Sequence, residues 1–487
     1  MLGQPSSFAR FNFLRNPKEY EWDVFGFVQD QWRVTPKLTL TYGLRYEVYS
    51  APYANAGNSA NFDFSTGQLL VAGTGSVNRY MNIDTRLTNF APRIGIAYSF
   101  NPKTVIRAGY GRSYYPNFFS IQVSHNFPVN FSQDLTSSAG TPLDFSLSQG
   151  PPLATPPVVP ASGMLPLPDG VTATGLPPDR KTASVDMWNV MVQREITPGL
   201  TFQVGYVGNV ATHLGTFVNA NAPVPGPGQS NDNRPYFALF GYTQDLTNFC
   251  NCFSSNYNAL QMSAIKRFTK FYSLTAQYTF SKTLNFGDNS TEFGPYNIAS
   301  QHGPAGFDRA HTFTLGHVVE LPFGPGRPFF SGMNRWQKLL FSGWQFTGLT
   351  TVYSGRPFTP VLSSNSSLNS TFALRPDVVG DPNANVPSGL AFNPAVFATP
   401  APFVEGDAGR NSLRGPMYVD ADWGLGKAFQ VTEKTKLQFD WQNFNVFNHP
   451  NLGLPNNVVD SSGAGQFTSL ETFALPRTMQ FSLKFMF

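Results

Sequence analysis

The sequence predicts an all-β fold, an antiparallel β-barrel that crosses a membrane. Three observations carry the prediction. Apolar and polar residues alternate with period two through segment after segment of eleven residues or more, the pattern of strands with one apolar and one polar face. Tight connections alternate with long ones along the chain, as in a barrel with short periplasmic turns and long outer loops. Only 13% of the 487 residues are charged, while 41% are hydrophobic and 15% aromatic. One lipid-facing and one wet face give such a composition.

Thirteen strands are predicted, at 22–33, 38–49, 90–100, 103–115, 183–196, 200–213, 257–268, 271–284, 309–321, 341–354, 418–430, 435–447 and 477–487. In the second, Leu38, Leu40, Tyr42, Leu44, Tyr46 and Val48 alternate with Thr39, Thr41, Gly43, Arg45 and Glu47. In the sixth, Phe202, Val204 and Tyr206 alternate with Thr201, Gln203 and Gly205. The eighth sets Tyr272, Leu274, Ala276, Tyr278 and Phe280 against Ser273, Thr275, Gln277 and Thr279. The last sets Met479, Phe481, Leu483, Phe485 and Phe487 against Thr478, Gln480, Ser482 and Lys484. These lengths exceed the ~5–6 residues of a globular strand and match the ~9–11 of a tilted membrane strand with overhang. Helical spacing is confined to 332–341, which offers one turn.

The tight connections are Val34–Lys37, Asn101-Pro102, Thr197–Gly199, Thr269-Lys270 and Thr432–Lys434. The long ones are 50–89, 116–182, 214–256, 285–308, 355–417 and 448–476, and 322–340 is a medium exception on the short side. Pro151-Pro152, Pro156-Pro157, Pro177-Pro178 and Pro223–Gly228 lead us to expect loops without regular structure. Strands resume on both sides of each, so no domain boundary divides 1–487.

Composition excludes other classes. A disordered chain is poor in aromatics. No run reaches the ~18 apolar residues of a membrane helix. A net charge of +4 is too small to indicate nucleic acid. Met1 to Arg10 carries neither a basic region nor an apolar stretch, so no secretory signal is predicted. The last strand follows a long loop, so the chain ends on the short-turn, periplasmic side. Thirteen is odd, whereas a bacterial single-chain barrel has an even strand number. The expectation is the C-terminal part of a longer barrel, or a gene with a misplaced start.

Phe27–Leu40, followed by Gly43-Leu44-Arg45-Tyr46-Glu47, resembles TonB-dependent receptors of the Oar-like class. Further matches are Ala91–Gly95 with Thr104–Gly111, Tyr257–Gln261 with Lys266-Arg267-Phe268, Asp308-Arg309-Ala310-His311 and Leu321–Gly324. Ser354-Gly355-Arg356-Pro357-Phe358, Gly409–Pro416 and Phe444–Asn451 complete them. The resemblance implies a barrel of about 22 strands, a plug, an N-terminal carboxypeptidase-regulatory-like domain and energy from the TonB complex. On that blueprint the chain supplies thirteen strands, and the plug and N-terminal domain are absent from it.

No catalytic motif stands out, so neither enzyme activity nor a cofactor is predicted. Cys250 and Cys252 are too few for a disulfide framework. A bridge two residues apart is strained, and a metal or redox pair competes with two loop thiols or a local bridge. His311 and His317 share strand parity, but no third metal ligand is indicated. Asp420 and Asp422 faintly suggest a calcium loop, and more simply two carboxylates on one strand face. Arg45, Arg93, Arg107, Arg194, Lys282, Glu320 and Asp440 lie within strands. A charge on the lipid face costs ~2–4 kcal/mol at the midplane, so most must point inward or sit at an interface. Tyr98, Phe100, Tyr114, Tyr115, Phe268 and Phe271 fit interfacial girdles.

The expected function is energised uptake of an unidentified ligand across the outer membrane. The expected partners are outer-membrane lipid, the TonB complex through the absent N-terminal part, the barrel-assembly machinery and that ligand, with no nucleic acid. The alternative is a surface adhesion or secretion-related barrel without transport. A soluble β-rich lectin or propeller is a third reading. Expressed alone, thirteen strands of a larger blueprint are expected to misassemble, because their edges cannot face lipid unpaired.

Phe481, Leu483, Phe485 and Phe487 resemble the C-terminal signal that marks barrels for assembly. Phe487→Ala, or removal of the last three residues, is expected to impair assembly more than Phe403→Ala in a loop. Heat-modifiable mobility of outer-membrane fractions reads the difference, and equal assembly of all variants would refute the signal.

Overall fold

The computed structural model describes residues 4–487 apart from 6, 116–125, 137–142, 152–154, 169, 229, 270, 288–295, 297, 366–372 and 473. Thirteen long strands form one antiparallel wall, paired in chain order. They are β1 (Asp23–Thr35), β2 (Leu38–Tyr49), β3 (Arg86–Asn101), β4 (Thr104–Tyr115), β5 (Ala183–Thr197), β6 (Leu200–Asn219) and β7 (Leu246–Thr269). β8 (Tyr272–Asn285), β9 (His311–Glu320), β10 (Trp344–Tyr353), β11 (Tyr418–Gln430), β12 (Lys436–Phe444) and β13 (Thr478–Met486) complete it. Two short strands join the same sheet, Ala173–Gly175 beside β7 and Gly303–Pro304 beside β8. β1 pairs only with β2, and β13 only with β12, among the described residues. Both edge strands expose nearly every residue on both faces.

Every predicted strand is present, with two large differences in extent. β6 and β7 continue past 213 and begin before 257, because Thr216–Asn219 pairs with Thr247–Cys250 beyond the long-loop end of the wall. Asn248–Phe253 lacks apolar alternation, so only the tertiary pairing makes it a strand. Cys250 and Cys252 in this extension are disulfide-bonded to each other. A short helix, α1 (Pro235–Phe240), escapes sequence periodicity, since six residues complete fewer than two turns. A second, α2 (Arg335–Phe341), lies where the single helical turn is expected.

Register sorts the wall into two faces, because directly opposed residues project to the same side. Leu38, Leu40, Tyr42, Leu44 and Tyr46 share a face with Tyr98, Ile96, Ile94, Pro92 and Phe90 of β3. Arg45 and Glu47 take the opposite face, where their side chains pair at 2.7 Å. The apolar face runs on through Val190, Val192, Phe202, Tyr206, Leu260 and Phe280 to Phe481, Leu483 and Phe485, and all of these are exposed. An apolar surface this broad requires lipid against it. The opposite face is the one a barrel turns toward its interior.

Five of the seven strand charges, Arg45, Arg93, Arg107, Glu320 and Asp440, lie on the polar face. Arg194 and Lys282 lie on the apolar face at strand ends. Two acidic groups on that face have partners. Asp30 accepts from Tyr42 Oη at 2.8 Å, and Asp186 pairs with Arg112 at 2.9 Å and accepts from Tyr110 Oη. Each pairing offsets part of the cost of a charge beside hydrocarbon.

Where they are described, the proline segments carry no helix or strand, Pro152 lying outside the described residues, but other parts of the long loops are regular. Residues 60–63, 68–71 and 164–166 form a three-stranded sheet. Ser7–Phe13 pairs with Asn130–Thr136. Phe62, Leu69, Val71, Phe127, Phe131, Leu165, Val171 and Leu246 pack into one buried core above the wall. A second cap gathers Phe358, Phe392, Leu413 and Val459. Burying each large apolar side chain contributes roughly 1.5–3 kcal/mol, which holds these caps together between the irregular proline segments. The wall has few large buried side chains, because its apolar residues face outward.

Nitroxide labels at 44 and 45 test the face assignment in the membrane-inserted protein. Position 44 is expected to be reached by oxygen and shielded from an aqueous quencher, and position 45 the reverse. Equal accessibility at both would overturn it.

Candidate functional site

The interior face of the wall carries rows of polar side chains, most of them uncharged. Gln193, Gln203, Ser263, Gln277, Thr314, Thr351 and Asp420 stand directly opposite one another across β5 to β11. Arg107 reaches into this row and donates to Gln193 Oε1 at 2.7 Å. One residue pair toward the long loops, Gln261, Thr279, Thr312, Tyr353 and Tyr418 form the next row. The Tyr353 and Tyr418 rings stack with centroids 5.8 Å apart. Gly316 and Gly424 leave a recess of about 480 Å³ in the same face, edged by Thr275, Thr347, Asp422 and Gln442. Asp420 and Asp422 thus share the polar face, and Asp422 accepts the Asn445 backbone N–H at 2.9 Å.

A cluster of charges closes the long-loop end of this face. Arg309 precedes β9, Arg356 follows β10, Arg414 precedes β11 and Glu471 comes from the last long loop. Arg356 pairs with Glu471 at 2.8 Å, and Arg309 approaches the same carboxylate at 3.8 Å. Arg414 pairs at 2.6 Å with Asp308, which also accepts the Thr283 N–H at 2.7 Å. Arg309 donates to Ser354 O at 2.7 Å and lies over the Tyr353 ring. Burial pulls the Arg309 guanidinium below its ordinary value, and Glu471 opposes that pull. Three guanidiniums thus face two carboxylates beside a tyrosine pair. This geometry suits hydrogen bonding and stacking with a polar solute.

The quoted segments 308–311, 354–358 and 409–416 all meet here. A Cβ on Gly355 would lie 1.8 Å from Gly415 O, so these two chains cross in backbone contact that only glycine allows. Arg410 is buried and donates to Gln301 O at 2.7 Å, Asn285 O at 2.9 Å and Gly303 O at 3.2 Å. In the segment 444–451, Asn451 clasps both backbone groups of Val419 at 2.8 and 2.9 Å. Much of what these motifs do is to fasten the loops to the rim.

His311 and His317 share the apolar face. His311 lies within 2.8 Å of Tyr278 Oη, and His317 packs on Phe346 at 5.0 Å. No group of three or more candidate metal ligands occurs among the described residues. Phe481, Leu483 and Phe485 line the apolar face of β13, with Phe481 stacked on Trp441, and Phe487 is almost fully exposed. Sequence reading missed the amide row, the tyrosine pair and Glu471. The amides occupy ordinary polar positions in strands, and only register aligns them.

A family profile described as an outer membrane beta barrel domain matches residues 1–480. The chain belongs to that family. This barrel protein therefore resides in the outer membrane. No curated protein matches its sequence. Among solved structures it is similar to the ferripyoverdine receptor of Pseudomonas aeruginosa, at 9% identity and TM-score 0.45, over 96% of this chain and 39% of that one. The outer membrane transporter YddB from Escherichia coli gives 11% identity and TM-score 0.46, over 96% and 54%. The siderophore receptor PirA from Acinetobacter baumannii gives 10% and 0.45, over 96% and 46%. The barrel chain thus spans about half the length of these structures or less, and likeness at this level transfers no ligand.

One titratable group in the cap of this barrel is set for the neutral range. Glu19 sits in a short strand, Glu19–Tyr20, paired with Tyr53–Ala54. Burial pushes its carboxyl up, Glu21 adds to the effect, and donation from Ser59 Oγ at 2.5 Å opposes it, leaving a value of about 7 against an ordinary 4.5. The folded cap holds this proton more tightly than the unfolded chain does. The contribution is therefore full below about 4.5 and lost as pH rises through about 7. Amide protection over 53–60, corrected for intrinsic exchange, is expected to fall between pH 5 and pH 8. In Glu19→Gln it should stay level, and a fall of equal size in that variant would remove Glu19 as the cause.

Proposed function

We propose that this barrel is the wall of a TonB-dependent receptor, of the Oar-like class that its motifs resemble, and that it admits a polar ligand through the outer membrane. The observation that carries the reading is the interior face itself. Rows of amides and hydroxyls run beneath a mouth of three arginines, two carboxylates and a stacked tyrosine pair. A purely structural scaffold has no need of aligned neutral hydrogen-bonding groups across six strands. Such groups bind a solute weakly and repeatedly, which suits passage. On this reading further strands join at β1 and β13, and a plug fills the interior until the TonB complex pulls on it. The packed caps, with cores of their own, hold the mouth in a fixed shape.

The test is uptake by whole cells. A strain deleted for the gene is offered a panel of labelled polar solutes, with and without a protonophore. At least one solute is expected to accumulate in the parent, and to be lost both on deletion and on collapse of the proton-motive force. Glu471→Gln with Arg356→Gln should reduce that uptake while leaving the barrel in the membrane. Loss of surface attachment with unchanged accumulation of every solute would instead identify an adhesion barrel.

A further inference from the structure

Five of the six connections at the short-turn end are tight, but residues 321–343 join β9 to β10 by a longer path. This stretch contains Arg327, Arg335 and Lys338 and no Asp or Glu. It carries α2, whose seven residues are all exposed. Trp336 is 70% exposed, Leu340 59% and Phe341 55%. The start of the helix is fixed by a capping box, Asn334 accepting from Gln337 N at 2.9 Å and Gln337 Oε1 accepting from Asn334 N at 3.1 Å. So many apolar side chains on a well-capped helix demand a cover.

The side of the wall on which α2 sits identifies that cover. Trp344 Nε1 donates to Leu340 O at 2.7 Å, and Lys427 Nζ donates to Leu339 O. Trp344 and Lys427 stand opposite each other in register with Phe439 and Leu483. They therefore belong to the lipid-facing side, not the interior. Lys427 bridges the rings of Trp344 and Phe429 at 5.4 and 4.7 Å and ties the carbonyl end of the helix to the outer surface of the barrel. α2 is thus continuous with the lipid-facing surface, at the rim where hydrocarbon gives way to headgroups. Arg327 is engaged with Glu320 at 2.5 Å and lies over Phe271. Arg335 and Lys338 are exposed on the same helix. Beside it Phe323, Phe330, Met333 and Phe341, with Gln337, line a cleft of about 370 Å³.

We propose that residues 322–342 form a binding site for an anionic glycerophospholipid of the periplasmic leaflet. An acyl chain occupies the aromatic cleft, Trp336, Leu340 and Phe341 sink to the headgroup boundary, and Arg335 and Lys338 take the phosphate. A basic, aromatic-rich interfacial helix binds membranes in this way. The inference rests on the membrane location of the barrel and is independent of what the barrel transports.

The test uses the gene's full product, purified from outer membranes and placed in lipid nanodiscs. A fluorophore is attached at Leu340→Cys, with Leu425→Cys on β11 as a control for insertion. Doxyl-labelled phosphatidylglycerol and doxyl-labelled phosphatidylcholine are compared as quenchers at equal mole fraction. Both should quench the label at 340, phosphatidylglycerol several-fold more strongly. Arg335→Glu with Lys338→Glu should abolish that preference while leaving quenching at 425 unchanged. Equal quenching by the two lipids in the unaltered protein would overturn the anionic headgroup site. Quenching at 340 by aqueous iodide and by neither lipid would overturn the membrane-bound helix altogether, and would leave it as a surface for a periplasmic protein.

Discussion

In hydrocarbon there is no water to satisfy a backbone N–H or C=O, and each one left unpaired costs several kcal/mol. That constraint governs the rest of this structure. It requires long strands in continuous antiparallel register, which β2 to β12 supply on both sides. Register in turn decides which residues share a face. Among the described residues of the wall, the constraint is unmet along one side of β1 and one side of β13, and there both faces of the strand are also bare. Those two ladders need partners before either can lie within a bilayer.

The same constraint displaces the hydrophobic core. A wall whose apolar side chains face lipid buries little against itself. The large fully buried residues Phe62, Leu69, Met81, Leu176, Phe392 and Leu374 all lie in the loops. Folded loops then face a problem of their own, since irregular backbone inside a cap leaves polar groups dry. Amide side chains meet it. Asn126 donates to Ala60 O and Thr174 O and accepts from Thr174 N, at 2.6–2.7 Å. Gln244 donates to Val171 O at 3.0 Å and accepts from Gly170 N at 2.9 Å. Asn61 accepts from Leu176 N at 2.7 Å. Each replaces a missing ladder bond, and each ties together segments far apart in sequence.

The mouth joins these two regimes. Asp308 binds β8 through Thr283 and the second cap through Arg414. Arg410 holds the loop after β8 to that cap through three backbone carbonyls. The charged groups of the mouth are therefore also those that fix the rim. At the opposite end Lys427 plays a comparable part, on the lipid side, by anchoring α2.

By itself the sequence determined the local periodicities and their order. Alternation in Leu38–Val48 or Tyr272–Phe280 reports a half-apolar strand wherever the chain goes, because side chains leave a strand on alternate sides. The sorting of short and long connections reports antiparallel neighbours with one unconstrained end. The quoted motifs marked Asp308, Arg309, Arg356, Arg410 and Arg414, without saying that they meet. Tertiary structure decided what depends on distance through space. Gln193, Gln203 and Gln277 become one row only when three strand pairings are in register. Phe62, Leu165 and Tyr242 become a core only when three loops converge, which no local pattern in any one of them announces. Asn248–Phe253 becomes a strand only because β6 is there to pair with it. A lone period-two pattern tells which face a residue takes, and only the neighbouring strand tells what it meets there.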